Sequence, residues 1–348
     1  MGAHPSKMAK EFEADQIKTP ISIDPESLVL RNTAEGAGSL SDKSIRTTVH
    51  IDALRAKVWN PNNPESWDAD MREYHTVENS EYALPSDEIE QNRLEIQHYI
   101  YRAGFKGDII CPAAKELVQQ PDTKILDVGC AKGFWLNCVK KGNPNPLVEY
   151  HGVDIAQNLV SESSSKNGIN IQFGNVLEHE DSTFDYVHQR LVYFGLPKEK
   201  FSDAFRELIR VTKPGGWVEI VEADIIIYNA GPCSKHWGKA MFNAMHERGL
   251  DCYAATNLPF YLSQVEKSIS NSGVETVHFP FSGDTRLGKL NGGNGKAGIL
   301  ALEDYMHKTM GMTRQEYREL AENCFVEWNE HNSQQVYRVK LENFVGKF

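Results

Sequence analysis

The stretch Ile125-Leu-Asp-Val-Gly-Cys-Ala-Lys-Gly133 is the part of the chain best equipped to hold a ligand. Glycines at 129 and 133 let the backbone turn sharply and approach a ligand with no Cβ in the way. A helix starting after Gly133 offers unpaired N–H groups to a carboxylate. Asp127 sets the sign of the rest. A dinucleotide site needs G-x-G-x-x-G and brings a pyrophosphate here, which a carboxylate two residues before the first glycine would repel. A ligand carrying an ammonium and a sulfonium is attracted instead. Asp127, Gly129, Cys130, Ala131 and Gly133 are therefore candidate contacts.

Further candidates follow at the ends of short apolar runs. Gly152-Val-Asp154-Ile155 presents a carboxylate that can accept both hydroxyls of a ribose, with Ile155 placed to pack on an adenine face. Gly174-Asn175-Val176 offers an amide side chain and a backbone N–H for the adenine edge. Phe184-Asp-Tyr-Val187 then delivers His188, Gln189 and Arg190 to a strand's carboxyl edge, where open α/β sheets bind ligands. Gln189 joins the cofactor contacts. His188 has two readings: a general base titrating near neutrality, or a brace for the ligand loop. Glu222 and Asp224 likewise either orient a substrate amine or cap the next segment. Tyr193, Trp135 and Phe194 either wall the pocket or belong to the core.

Alternating strands and helices must position these groups. The pattern predicts strands at 124–128, 150–154, 169–173, 184–188 and 217–223, and helices at 133–141, 156–166 and 198–211. Short β-branched strands spaced by helices mean right-handed crossovers and a parallel sheet covered on both faces. The fold class is α/β, a Rossmann-like doubly wound sheet. A helix at 88–103, capped by Ser86 or Asp87, precedes it. After residue 230 the pattern predicts helices at 234–248, 259–272 and 313–329, with strands near 275–281 and 335–344. Gly292-Gly-Asn-Gly-Lys-Ala297 fails the Walker pattern and reads as a flexible surface loop or lid. A short helix at 49–58 and an M-G-x-x-x-S start, the N-myristoylation pattern, fall in the polar first 70 residues. The expected division is a flexible segment 1–70, a helical lead-in 71–120, a ligand-binding core 121–230 and a cap with the last strands at 231–348.

Composition removes several function classes. The 348 residues include 37 basic and 48 acidic side chains, a net charge of −11, which opposes phosphate-tracking nucleic-acid binding. No run approaches the ~18 apolar residues of a membrane span, and no export signal is evident, so a cytoplasmic or nuclear location is expected. Six cysteines include no C-x-x-C and no zinc spacing, so they read as reduced thiols and no metal site is expected.

The order Asp127-x-Gly-x-x-x-Gly133, Asp154, Asn175, Phe184-Asp-x-Val187 and Lys213-Pro-Gly-Gly216 resembles the class I S-adenosylmethionine-dependent methyltransferases, with Ala131 where a third glycine is more usual. S-adenosylmethionine carries both positive groups, plus a carboxylate for the helix N-terminus. Tyr82-Ala-Leu-Pro-Ser-Asp-Glu-Ile-Glu90, Arg93-Leu-Glu-Ile-Gln-His98 and Arg210 to Glu222 resemble the fungal LaeA-like methyltransferases, and residues from about 72 onward can be laid on that family. The resemblance implies that the 88–103 helix lies over the cofactor, with Tyr82 and Gln97 touching it. It also implies in-line methyl transfer to a small-molecule acceptor of secondary-metabolite type, leaving S-adenosylhomocysteine. Because the family includes regulators, a cofactor-binding regulatory protein docking a partner through residues 1–70 stays open. So does a non-methylating enzyme on the same scaffold. A nicotinamide-linked oxidoreductase is the third alternative, and Asp127 opposes it. Oligomeric state and acceptor identity leave no mark in the sequence.

Overall fold

The computed structural model describes residues 72–74, 82–143, 145–156, 167–265, 269–281, 285–331 and 333–344. Seven strands form one sheet: β1 (Lys124–Val128), β2 (Glu149–Asp154), β3 (Asn170–Phe173), β4 (Phe184–Arg190), β5 (Thr212–Tyr228), β6 (Ile269–Pro280) and β7 (Gln334–Phe344). Their spatial order is β3-β2-β1-β4-β5-β7-β6. The first five are parallel, and β7 runs antiparallel to both β5 and β6. Winding reverses between β1 and β4, so a crevice opens beyond their carboxyl ends, the place such sheets use for ligands.

Helices cover both faces. On one face α2 (Pro112–Leu117) and α3 (Phe134–Gly142) pack Ala114, Trp135, Leu136 and Val139 on Ile125, Tyr150, Ile171 and Tyr186. On the other, α4 (Phe201–Val211) buries Phe201, Phe205, Leu208 and Ile209, the i, i+4, i+7, i+8 stripe of a one-sided helix. The helix α1 (Glu88–Gly104) is capped by Asp87, whose carboxylate accepts from the Glu90 N–H and also pairs with Arg72. After β5 come α5 (Pro232–Glu247), α6 (Ala254–Ser263), α7 (Arg286–Ala301), α8 (Glu303–Thr309) and α9 (Arg314–His331). Thr313 and Glu316 close a capping box at the start of α9, as the sequence predicts.

Two expectations fail. The 292–297 stretch is the middle of α7, packed against α1, not a surface loop. Its glycines serve close approach: a Cβ on Gly292 would lie 2.3 Å from the Phe281 carbonyl oxygen, and one on Gly295 2.7 Å from the Phe281 ring. Gly292→Ala should therefore destabilise the protein by about 1–3 kcal/mol through overpacking. Gly293 has nothing within 4 Å of an added Cβ. Gly293→Ala should stabilise by about 0.5–1 kcal/mol, the ordinary helix-propensity gain. Denaturant unfolding of the pair checks the opposite signs.

The helix expected at 259–272 is instead α6, ending at Ser263, and β6 already begins at Ile269. Pro259 lies inside this helix and not at its start. The start is set instead by carboxylates that take the first N–H groups: Asp251 bonds Tyr253 N at 2.9 Å and Asp224 bonds Thr256 N at 3.0 Å. The helix expected at 156–166, the one at 49–58, the N-terminal lipidation pattern and the whole 1–70 segment lie outside the described residues, Ala156 excepted. Among the described residues, no helix is long and apolar enough to cross a membrane.

Candidate active site

The turn from β1 into α3 is left-handed at Gly129 (φ 72°), Ala131 (φ 46°) and Gly133 (φ 69°). Alanine adopts this region at a cost of roughly 1–2 kcal/mol, and the structure shows what holds it. Asp154 Oδ2 accepts the Ala131 N–H at 2.8 Å, while Oδ1 accepts the Ala156 N–H at 2.9 Å. The Gly129 and Cys130 N–H groups both reach the Val153 carbonyl. The end of β2 thus clamps the loop.

A continuous cavity of about 420 Å³ opens above this turn. His188 and every candidate cofactor contact from the sequence except Gly133 line it, as do Tyr193, Trp135 and Phe194, whereas Glu222 and Asp224 do not. Gly133 shapes the turn from outside: a Cβ there would lie 2.5 Å from Ile171 Cδ1.

Strand register sets the electrostatics. Asp127, His188 and Glu219 are lateral neighbours on β1, β4 and β5. His188 Nδ1 donates to Asp127 Oδ1 at 2.7 Å, and its ring stacks on Trp135 at 4.0 Å between centroids. Both partners are buried. Such an imidazole is held in place on one nitrogen and one face, the geometry of a brace. Glu219 accepts the Ile110 and Cys111 N–H groups at 2.9 and 3.3 Å, tying the start of α2 beneath the row.

Arg190, at the end of β4, was not among the candidate contacts. It lines the cavity, donates to His98 Nδ1 at 3.2 Å and lies 5.0 Å over the Tyr101 ring. Among the described residues it forms no salt bridge with a carboxylate. Burial lowers its pKa, with the Asp127 charge acting the other way. A second cavity arginine, Arg93, is neutralised by Glu90 through bonds of 2.8 and 2.6 Å. The sequence signal for Arg190 was its place one residue after Gln189; its lack of a counter-charge appears only in three dimensions.

The comparisons bear on this site. Residues 125–216 match a sequence profile described as a methyltransferase domain. These residues form a class I S-adenosylmethionine-dependent methyltransferase domain. It is 29% identical over 275 residues to the N-methyltransferase sirN of Leptosphaeria maculans, covering 72% of this chain and 88% of that protein. The methyltransferase str2 of Strobilurus tenacellus is 28% identical over 246 residues, covering 67% and 85%. The secondary metabolism regulator LAE1 of Cochliobolus heterostrophus is 28% identical over 162 residues, covering 44% and 50%.

The methyltransferase's cavity has the donor set its cofactor needs. Asp127 and Asp154 bring carboxylates, Arg190 a guanidinium, and the buried Gln189 has no acceptor for its Nε2 among the described residues. Asn175 is engaged in part as a helix cap, accepting the Leu177 N–H at 3.2 Å. Three further groups, His98, Asp108 and Cys138, bring one ligand atom each within 4.8 Å of one another. A guanidinium only donates, so Arg190 makes His98 Nδ1 the acceptor and leaves the proton on Nε2. With Arg102 also 3.4 Å from Asp108, this corner of the methyltransferase repels a cation.

The open question for Glu222 and Asp224 resolves toward bracing. Asp224 caps α6 through the Thr256 N–H and hydroxyl, and Glu222 Oε1 accepts the Val192 N–H at 3.1 Å. Glu222 Oε2 is buried without a partner among the described residues, and burial pushes this carboxyl up to about 8. A raised folded-state pKa gives stability that is complete below the unfolded value and lost as pH rises through the folded one. Glu222→Gln should therefore flatten the fall of the thermal midpoint between about pH 5 and about pH 9. Parallel curves for variant and wild type would remove this role.

Proposed function

We propose that this methyltransferase moves a methyl group to a small-molecule acceptor held in the apolar half of the cavity. The observation that carries the reading is the distribution of charge along one cavity wall. Asp127, Asp154 and Arg190 gather at the β1, β2 and β4 ends, whereas Ile225, Trp237, Phe281, Ile299 and Trp328 face the other half.

When bound, S-adenosylmethionine supplies an electrophilic methyl on a sulfonium with a good leaving thioether. The chain's own residues then have a positioning task. Asp154 would take the ribose hydroxyls, Asp127 the ammonium, and Arg190 the carboxylate. His188, bonded to Asp127, fixes that carboxylate's orientation. Ile155 is 44% exposed, leaving its side chain free to meet the adenine, with Asn175 and Val176 at the ring edge. Tyr82 and Gln97 would close the cavity from the α1 side. Positioning can remove ~7–11 kcal/mol of barrier. A general base adds ~3–5 kcal/mol. Positioning is therefore the larger effect, and no catalytic base is required by this reading.

The test is calorimetric titration with S-adenosylhomocysteine, followed by incubation with trideuteromethyl cofactor and an organic extract of fungal mycelium. Label recovered in a small molecule supports the reading. Label fixed only in polypeptide replaces the acceptor class, and absence of binding removes the cofactor half.

A further inference from the structure

The far half of the cavity is built by α7, with help from α5, α9 and the end of β5. Along α7 the lining residues are Asn291, Asn294, Gly295, Gly298, Ile299 and Leu302. Gly298 keeps this face low, whereas Gly295 is packed against Phe281 and Trp328. A Cβ on Gly298 would meet only the Arg93 guanidinium, 3.9 Å away, so the space above it is room rather than packing. Glycine is unfavourable in a helix interior, so a low wall here runs against helix propensity.

Asn294 is the independent observation. It is 9% exposed, it lines the cavity, and its Oδ1 is buried without a hydrogen-bond partner among the described residues. Its neighbour Asn291 differs, since its Nδ2 is spent on the Pro280 carbonyl at 3.1 Å. A buried amide oxygen without a donor is costly, so a bound group that donates to it is favoured over one that cannot. Charge decides the rest. Among the described residues this half of the cavity holds no carboxylate, and its one cation, Arg93, is already neutralised by Glu90. An acceptor with a net charge of either sign would be buried there unpaired. The aromatic walls, with Trp328 stacked on Phe281 at 4.6 Å, suit a flat ring.

We infer that the α7 face is the acceptor subsite, that it takes an uncharged, largely apolar ring compound, and that Asn294 hydrogen-bonds the polar group of that compound. This rests on the methyl-transfer reading for the identity of the ligand as acceptor, but not for the binding itself. Asn294 is then a specificity-determining residue.

The experiment uses the full chain saturated with S-adenosylhomocysteine, titrated with 2-naphthol and with 2-naphthoate at neutral pH. 2-Naphthol should bind about tenfold more tightly than 2-naphthoate, the carboxylate being buried without a counter-ion. Asn294→Leu should weaken 2-naphthol about fivefold, the usual worth of one hydrogen bond. Affinity for S-adenosylhomocysteine should stay within about twofold, which shows that the variant folds. Gly298→Leu should abolish 2-naphthol binding while keeping the cofactor product. Equal or tighter binding of 2-naphthoate, no binding of 2-naphthol, or full affinity in Asn294→Leu would each overturn the inference. Wild type that fails to bind S-adenosylhomocysteine would instead strike the cofactor reading, and 2-naphthol binding to the unliganded chain would then judge the subsite alone.

Discussion

Asp154→Ala is expected to weaken S-adenosylhomocysteine about a hundredfold, or ~2.8 kcal/mol, the loss of two hydrogen bonds to a charged group. Calorimetry on the purified variant reads it directly. The same loss should appear with 5′-methylthioadenosine, which shares the ribose but has no amino-acid portion. Asp154 also holds the Ala131 N–H in its left-handed turn, so an indirect effect through the loop must be separated from the ribose contact. Glycine adopts φ 46° without the Cβ penalty. Ala131→Gly in the Asp154→Ala background should therefore relax the loop yet leave the affinity low. Recovery of binding in the double variant would assign the effect to the loop, and an unchanged single variant would remove Asp154 from the site.

The contrast between Asp154 and the α7 glycines shows what one-dimensional reading can reach. Asp154 was legible because its position at the end of a β-branched run is local, and strand ends in a parallel sheet face the ligand crevice by construction. The same logic found Asp127, Asn175 and Gln189, all of which line the cavity. Gly292 and Gly295 misled because glycine has two uses, freedom and thinness, and only packing tells them apart. Their partner Phe281 belongs to a different element, so nothing nearby in sequence signalled it. The start of α6 failed for a related reason, since Asp224 caps it from 32 positions away. The Asp127–His188–Glu219 row depends on the registers of β1, β4 and β5 together. Residue types announced each member, while their adjacency needed the sheet.

Arg190 tests whether an unneutralised charge is there for the ligand. Its contacts, His98 Nδ1 and the Tyr101 face, leave the cation without a carboxylate partner among the described residues. A partly buried cation in that state is costly until an anion arrives. Arg190→Met should weaken S-adenosylhomocysteine about thirtyfold, ~2 kcal/mol, within the range of a hydrogen bond to a charged group. 5′-Methylthioadenosine lacks the carboxylate, and its affinity should change by less than about twofold. Arg190→Lys should fall between, because an ammonium keeps the charge but loses the planar fork that matches a carboxylate. The ligand-free variant should lose no thermal stability, since methionine keeps the stem's packing and removes the desolvated charge. If both ligands weaken equally, or if the variant unfolds earlier, Arg190 acts through His98 and Tyr101 to hold α1 in place, and the carboxylate must be met elsewhere. The divergence of the two ligands is what separates a charge reserved for the cofactor from one that merely staples a helix to the sheet.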